Sequence, residues 1–338
     1  MLRSSGARAA LHGAIAGCDR LVLLGDTLEL RHGPARAALD AAEPVLRELG
    51  GALGPAGEIV VVPGNHDHRL LHGWLERRAG ERAPSPLGLE SPVDWQEHEP
   101  LAAVVGWLEP AKVTVAYPGT WLRADVYATH GHYGDRHNTV PILERLGAGV
   151  MARVAGEQDG GPRRAEDYEA TLWPMYAWID TVAQSGGFRG RGGGGLQVRA
   201  WRTLQRPDGR RTIRGTGAAV GFAALVAVLN WAGLGPLGAD VSAPELRRAA
   251  LHAFDEVLSR LGIQGGHVIF GHTHRAGPLA GDDRSEWTAS IGTSMLNTGS
   301  WVYERGFLGD SPRRSPYRPG FCAIVADQGP PELVNLLD

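Results

Sequence analysis

Four short motifs, each directly behind an apolar run, constrain this chain more than any other feature. They are Gly25-Asp26, Gly64-Asn65-His66-Asp67, His130-Gly131-His132 and Gly271-His272-Thr273-His274. The runs before them, residues 21–24, 59–62, 126–129 and 268–270, are short and continuously apolar and read as buried parallel strands. Side chains at the carboxyl ends of parallel strands converge on one crevice, where α/β proteins place their sites. Asp, Asn and His gathered in such a crevice are the ligand set of a divalent metal.

Gly-Asp alone is common, but Gly-Asn-His-Asp and Gly-His-Thr-His in this order, each behind a strand, are not. The series resembles the calcineurin-like metallophosphoesterases, over roughly residues 19–140 and 262–303. The resemblance implies an α/β fold, a four-layer αββα sandwich of two mixed sheets, and a pair of divalent metal ions (Mn, Fe or Zn) at its centre. It implies hydrolysis of a phosphoester, whether mono-, di- or pyrophosphate, by a metal-activated hydroxide. By the same resemblance Asp26 bridges the two metals, and Asn65, His130 and His272 bind the second. His274 then binds the first. His66 acts on the leaving oxygen, and Asp67 holds the His66 ring in one tautomer. Imidazole ligands must be neutral and carboxylates ionised, so activity is expected to fall at acid pH.

One motif of the family pattern is missing. Members open with a strand ending in Asp-x-His, which supplies two ligands to the first metal. Here the acid and the imidazole upstream of Gly25 are Asp19 and His12, and neither follows an apolar strand. Residues 7–16 instead read as a helix behind Ser4 and Ser5, with Leu11 and Ile15 at helical spacing. The expectation is that the chain as given lacks its first strand and that the encoding DNA upstream of Met1 supplies it. Without that strand the first metal keeps only Asp26 and His274.

Composition sets softer limits. The 338 residues are 43% hydrophobic, enough for a sizeable core, and a net charge of -3 gives no argument for nucleic-acid binding. Lys112 is the single lysine, so basic charge is almost all arginine. The two cysteines, Cys18 and Cys322, lack metal-ligand spacing and read as buried thiols in a reducing cytosol, and no signal peptide opens the chain.

The core divides into residues 1–140 and 262–338, interrupted by an insertion at 141–261. Helices are expected near residues 35–49 and 70–78, a loop at 82–100, and strands at 113–117 and 126–129 with Pro118-Gly119 as the turn between them. After Gly262, short strands are expected at 268–270, 288–291, 295–296 and 321–325. The insertion holds a glycine-rich stretch at 186–195 and an uncharged run at 215–238 that follows Arg210, Arg211 and Arg214. That run reads first as a buried helix and turn of a cap. The competing reading is a lid that touches a membrane surface, with a lipid-like phosphoester as substrate. The expected location is therefore cytoplasmic, peripheral to or inserted at the membrane in that second case. The tryptophans at 173, 178, 201 and 231 read as insertion core.

His132, His137 and Asp135 beside His130 are read either as lining the phosphate mouth or as a solvated loop. Glu29 is an outer partner or a helix-capping carboxylate, and His68 a neighbour rather than a ligand. The alternative to an enzyme is a scaffold or lipid-binding protein of the same fold that has lost catalysis. The intact set Asp26, Asn65, His66, His130, His272 and His274 argues for the enzyme, since a scaffold has no need of it.

Overall fold

The computed structural model describes residues 4–31, 34–140, 143–154, 160–184, 224–231, 237–238, 242–303, 308 and 311–338. Ten strands are labelled β1 (Arg20–Leu24), β2 (Glu58–Val62), β3 (Glu90–Pro92), β4 (Lys112–Arg123), β5 (Val126–Thr129), β6 (His267–Phe270), β7 (Ala276–Gly277), β8 (Ser294–Thr298), β9 (Phe321–Ile324) and β10 (Glu332–Asn335). The helices are α1 (Ser5–Ile15), α2 (Ala35–Leu53), α3 (His72–Gly80), α4 (Pro100–Trp107), α5 (Leu143–Val154), α6 (Ala165–Gln184) and α7 (Ala243–Leu261), with a further helical stretch at 224–231.

Seven strands form one curled mixed sheet in the order β1-β2-β4-β5-β6-β8-β7, β3 pairs with β4 beside that path, and β9 with β10 make a second small sheet. The path bends through β4. Its first residues run parallel to β2, from Lys112 opposite Glu58 to Val115 opposite Val61. Its last residues pair antiparallel with β5, Gly119 opposite Thr129. Pro118 and Gly119 are therefore not the turn expected between two strands. They lie inside one strand where it exchanges partners, with Pro118 opposite Glu90 of the short edge strand β3. The turn is Ala124-Asp125, between β4 and β5.

The two faces of the sheet are sorted by the period-two rule. Ile59, Val61, Val115, Tyr127, Val268 and Phe270 join the main core under the helices. Val60, Val62 and Ala116 form a separate cluster with Val22 and Leu24, and Val126, Ala128, Ile269 and Leu296 form another that again touches Leu24. β1 is half-buried rather than the fully buried strand expected, because it ends the strand path and has a neighbour on one side only.

The helices follow from apolar spacing. In α2, Leu39, Ala42, Leu46, Leu49 and Leu53 repeat at three- and four-residue steps and face the core. In α7, Leu251, Phe254, Leu258 and Leu261 do the same, and Phe254 stacks on Phe270 of β6 with ring centroids 4.1 Å apart. Gly262 ends α7 in the left-handed conformation at φ 68. α1 occupies the helical segment expected after Ser4. The helix expected near residues 70–78 is a 3-10 turn, His68–Leu71, running into α3.

Four local expectations change. Residues 288–291 are not a strand; Thr288 makes an isolated bridge to Ser294 around a turn closed by Ala289 N–H on the Thr293 carbonyl. Within the loop expected at 82–100 lies β3, recruited as a short edge to β4. Trp178 and Trp231 are not insertion core but stand 65% and 90% exposed, whereas Trp173 packs on the main core. Trp201 and the glycine-rich stretch lie outside the described residues, as does most of the 215–238 run. Cys18 is exposed rather than buried, and both cysteines are free thiols. Among the described residues no helix is long and apolar enough to cross a membrane.

Candidate metal centre

The four motifs meet. Gly25-Asp26, Gly64-Asn65, His130 and Gly271-His272 leave the carboxyl ends of β1, β2, β5 and β6, and their side chains close on one point. The Asn65 Oδ1 lies 3.1 Å from His130 Nε2 and 3.2 Å from His272 Nδ1. The Asp26 Oδ2 lies 3.2 Å from His130 Nε2. Asp26, His130 and His272 offer ligand atoms all within 4.8 Å of one another. A metal bound at 2.0–2.2 Å needs ligand atoms roughly 3–4 Å apart, so these residues fit an ion with little rearrangement.

The backbone at two of these residues is strained. Among the described residues, the non-glycine positions with positive φ are Asp26 (50), His272 (64) and His274 (61). All three are expected ligands. Such conformations cost about 1–3 kcal/mol each and persist where the surroundings impose them, typically at functional sites. Gly25, at φ 79, packs so closely on His130 that a Cβ there would meet Nδ1 at 2.2 Å. Gly25→Ala is therefore expected to combine strain with a clash, losing more than about 2 kcal/mol of stability and displacing His130. Chemical denaturation of the variant checks this.

The imidazole of His130 is 2% exposed, and its Nδ1 faces the Leu24 carbonyl at 3.1 Å. An Nδ1–H donated there leaves the Nε2 lone pair toward Asp26 and Asn65, the tautomer a ligand requires. Burial alone would lower the His130 pKa, but the Asp26 carboxylate, through its charge and hydrogen bond, carries it up to about 9. Asp26 in turn is held well below the usual carboxylate range against its burial by His130, then His66 and His272. The metal-free pair thus keeps a proton that an ion must displace. Metal binding at pH 7 is expected to release about one proton and to weaken roughly tenfold per unit as pH falls further below 9. Calorimetric titrations in two buffers of unequal protonation enthalpy check the count. For the metal-free fold, a pKa raised from 6.5 to about 9 is stability fully present below 6.5 and lost as pH rises through 9.

His274 is near this cluster but outside the four-residue set. Burial first, then the neighbouring imidazoles, lower its pKa to about 4, with the Asp26 charge opposing. It is neutral at neutral pH.

Asp67 does not hold the His66 ring as expected. Its two oxygens accept the backbone N–H groups of Gly64 (2.6 Å), Thr27 (2.8 Å), Asp26 (3.2 Å) and Leu28 (3.4 Å). The carboxylate is fully buried and ties the β1 and β2 motif loops together. Burial and the charge of Asp26 push it up to about 6. The His66 Nδ1 meets Glu29 Oε2 instead, at 2.7 Å. Burial lowers the His66 pKa, but Glu29 and Asp26 outweigh it and the net shift is upward. Spacing hinted at Glu29, three residues past Asp26, without distinguishing an outer partner from a cap.

Two residues of consequence have roles the sequence did not assign: Asp135, left between the phosphate mouth and a solvated loop, is buried, and Glu169 carried no signal. Asp135 Oδ1 lies 2.7 Å from His272 Nε2. Glu169 of α6, within the insertion, is buried and receives Tyr117 Oη–H (2.5 Å) and Tyr133 Oη–H (2.8 Å) on one oxygen, with His68 Nε2 at 3.3 Å from the other. The insertion thereby reaches the turns that follow two of the metal motifs. No family profile, curated protein or solved structure matches the chain.

Proposed function

We propose that this chain is a metal-dependent phosphoester hydrolase of the calcineurin-like kind, working at the centre formed by Asp26, Asn65, His130 and His272. One observation carries the reading: two imidazole nitrogens with opposite outer partners, a carboxylate and an amide oxygen converge on one point, with Asp26 and His272 held in a strained backbone. These four residues would hold a divalent ion. Bound there, it would lower the pKa of a water to about 7 and offset phosphate charge. A second ion, if taken up, would share Asp26 and use His274.

The rest of the chemistry belongs to the chain. His66 stands at the rim with its side chain 23% exposed, and Glu29 accepts its Nδ1–H. The Glu29 carboxylate stabilises the imidazolium, so His66 carries a transferable proton at Nε2 for the leaving oxygen. Asp67 keeps the Asp26 and Asn65 loops in register through its four N–H contacts. Replacing His66 with Gln is expected to slow cleavage of a phosphate ester with a poor alkoxide leaving group by about 10²–10⁴-fold. An activated nitrophenyl ester, whose leaving oxygen needs no proton, should be slowed much less. Equal losses on both substrates would remove His66 from this role.

The four-layer arrangement belongs to the same proposal. What supports it is that the inner clusters on either side of the β4 bend share Leu24, while helices cover the outer faces. A lipid-like substrate is favoured by a separate observation. Leu225, Val228 and Trp231 recur every third residue of the stretch 224–231 and are 53%, 59% and 90% exposed, an apolar stripe suited to a membrane surface. Changing Val228 and Trp231 to Ser is expected to abolish sedimentation with anionic vesicles; unchanged sedimentation excludes that surface.

A further inference from the structure

The two imidazole ligands of the proposed centre are oriented by different means. His130 turns its Nδ1 to a backbone carbonyl, that of Leu24, and its Nε2 to Asn65. His272 is reversed: its Nδ1 faces Asn65 and its Nε2 faces a carboxylate, that of Asp135. We propose that Asp135 is the positioning residue of the metal centre, accepting the Nε2–H of His272 and so fixing the tautomer whose Nδ1 binds the ion. This rests on the reading of the cluster as a metal site, and it concerns binding rather than the reaction.

The burial of Asp135 is the first argument. It is 2% exposed, and among the described residues its Oδ2 is buried without a hydrogen-bond partner. Burying a carboxylate with one oxygen unpartnered is costly, and among the described residues the hydrogen bond it makes is the one to His272. The second argument is chain geometry. Asp135 lies on the 3-10 turn His132–Arg136, which starts at Gly131 with φ 101. A single short segment therefore delivers one ligand, His130, and the group that orients another, arriving from β6. The third is chemical. A free imidazole exchanges tautomers readily, and outer carboxylates that prevent this typically supply 10–100-fold in metal affinity.

The test is Mn²⁺ affinity, followed by the resonance of free Mn²⁺, in the full chain and in Asp135→Ala, Asp135→Asn, His272→Ala and the double variant Asp135→Ala/His272→Ala. Asp135→Ala is expected to weaken binding about 10–100-fold. Asp135→Asn, which keeps an acceptor without the charge, should lose less. In the His272→Ala background the Asp135→Ala change should add nothing, because its effect passes through that ring. Wild-type affinity in Asp135→Ala, or an equal further loss in the double variant, overturns the proposal. Imidazole ¹⁵N shifts of the Zn²⁺-loaded wild-type protein give a second measurement that needs no variant to fold. Metal-bound Nδ1 with protonated Nε2 at His272 is expected, and the reverse overturns the proposal. A protein with the expected pattern that hydrolyses no phosphoester would remove the proposed function and leave this inference standing. A wild-type chain that binds neither ion overturns both.

Discussion

Glu169→Ala is expected to cost the fold about 3–5 kcal/mol, the largest stability loss of any single polar substitution argued for this chain. Glu169 gathers three donors from three places: Tyr117 on β4, Tyr133 on the turn after His130, and His68 on the turn after the Gly64–Asp67 motif. Tyr117, Tyr133 and His68 are all buried, so alanine would take the shared acceptor from three buried polar groups, of which Tyr117 keeps His132 Nε2 at 2.9 Å. Glu169→Gln keeps the tyrosine acceptor but turns an NH₂ toward His68, and should fall between. Because two of the three donors sit just beyond metal-motif residues, the alanine variant should also bind metal more weakly at temperatures where it remains folded. Denaturant unfolding with and without Mn²⁺ measures both effects. Wild-type stability in Glu169→Ala would mean that the insertion helix α6 does not brace the site.

His130→Ala is expected to reduce metal affinity by more than about 100-fold, the upper end of what losing a mere outer partner costs, and to reduce phosphoester hydrolysis to background. Its Nε2 stands 3.1 Å from Asn65 Oδ1 and 3.2 Å from Asp26 Oδ2, so removal opens one side of the site. It also strips Asp26 of the neighbour that does most to keep it ionised against burial. Stability should move differently. The vacated space lies beside Gly25 and Gly64, and with it goes the His130–Asp26 ion pair, so metal-free His130→Ala should lose stability at pH 7 but far less at pH 10, where the wild-type pair has given up its proton. Unfolding curves at the two pH values separate the roles of ligand and ion-pair partner.

How much of this was legible depends on whether the determinant is local. The ligand loops were, because an apolar strand ending in Gly-Asp or Gly-Asn-His-Asp places its side chains by strand geometry alone, and Asp26, Asn65, His130 and His272 come together as the motif order implies. The strained backbone at Asp26, His272 and His274 could not be read, because Asp and His, although enriched at positive φ, adopt it at only a small minority of positions. The family resemblance sets Asp67 against the His66 ring. In the fold, four backbone N–H groups from two loops compete for its carboxylate and win, and the more exposed Glu29 takes the ring. Pro118-Gly119 read as a turn by local rule, and only pairing with both β2 and β5 makes it the middle of a strand. The partners of Asp135, which the sequence left between the phosphate mouth and a solvated loop, and of Glu169 were hidden for the same reason: they lie 137 residues away in one case and as many as 101 in the other.

The central claim is that the Asp26–Asn65–His130–His272 cluster holds a metal and that phosphoester hydrolysis depends on it. The most direct measurement is bound metal and hydrolysis on the same samples: the chelated full chain titrated with Mn²⁺, reading metal content and cleavage of a nitrophenyl phosphodiester and monoester together, with His130→Ala in parallel. Activity that rises in step with bound Mn²⁺, and both lost in His130→Ala, is the predicted result. Mn²⁺ bound equally well by His130→Ala, or a metal-loaded wild-type chain inert toward both esters, would contradict it.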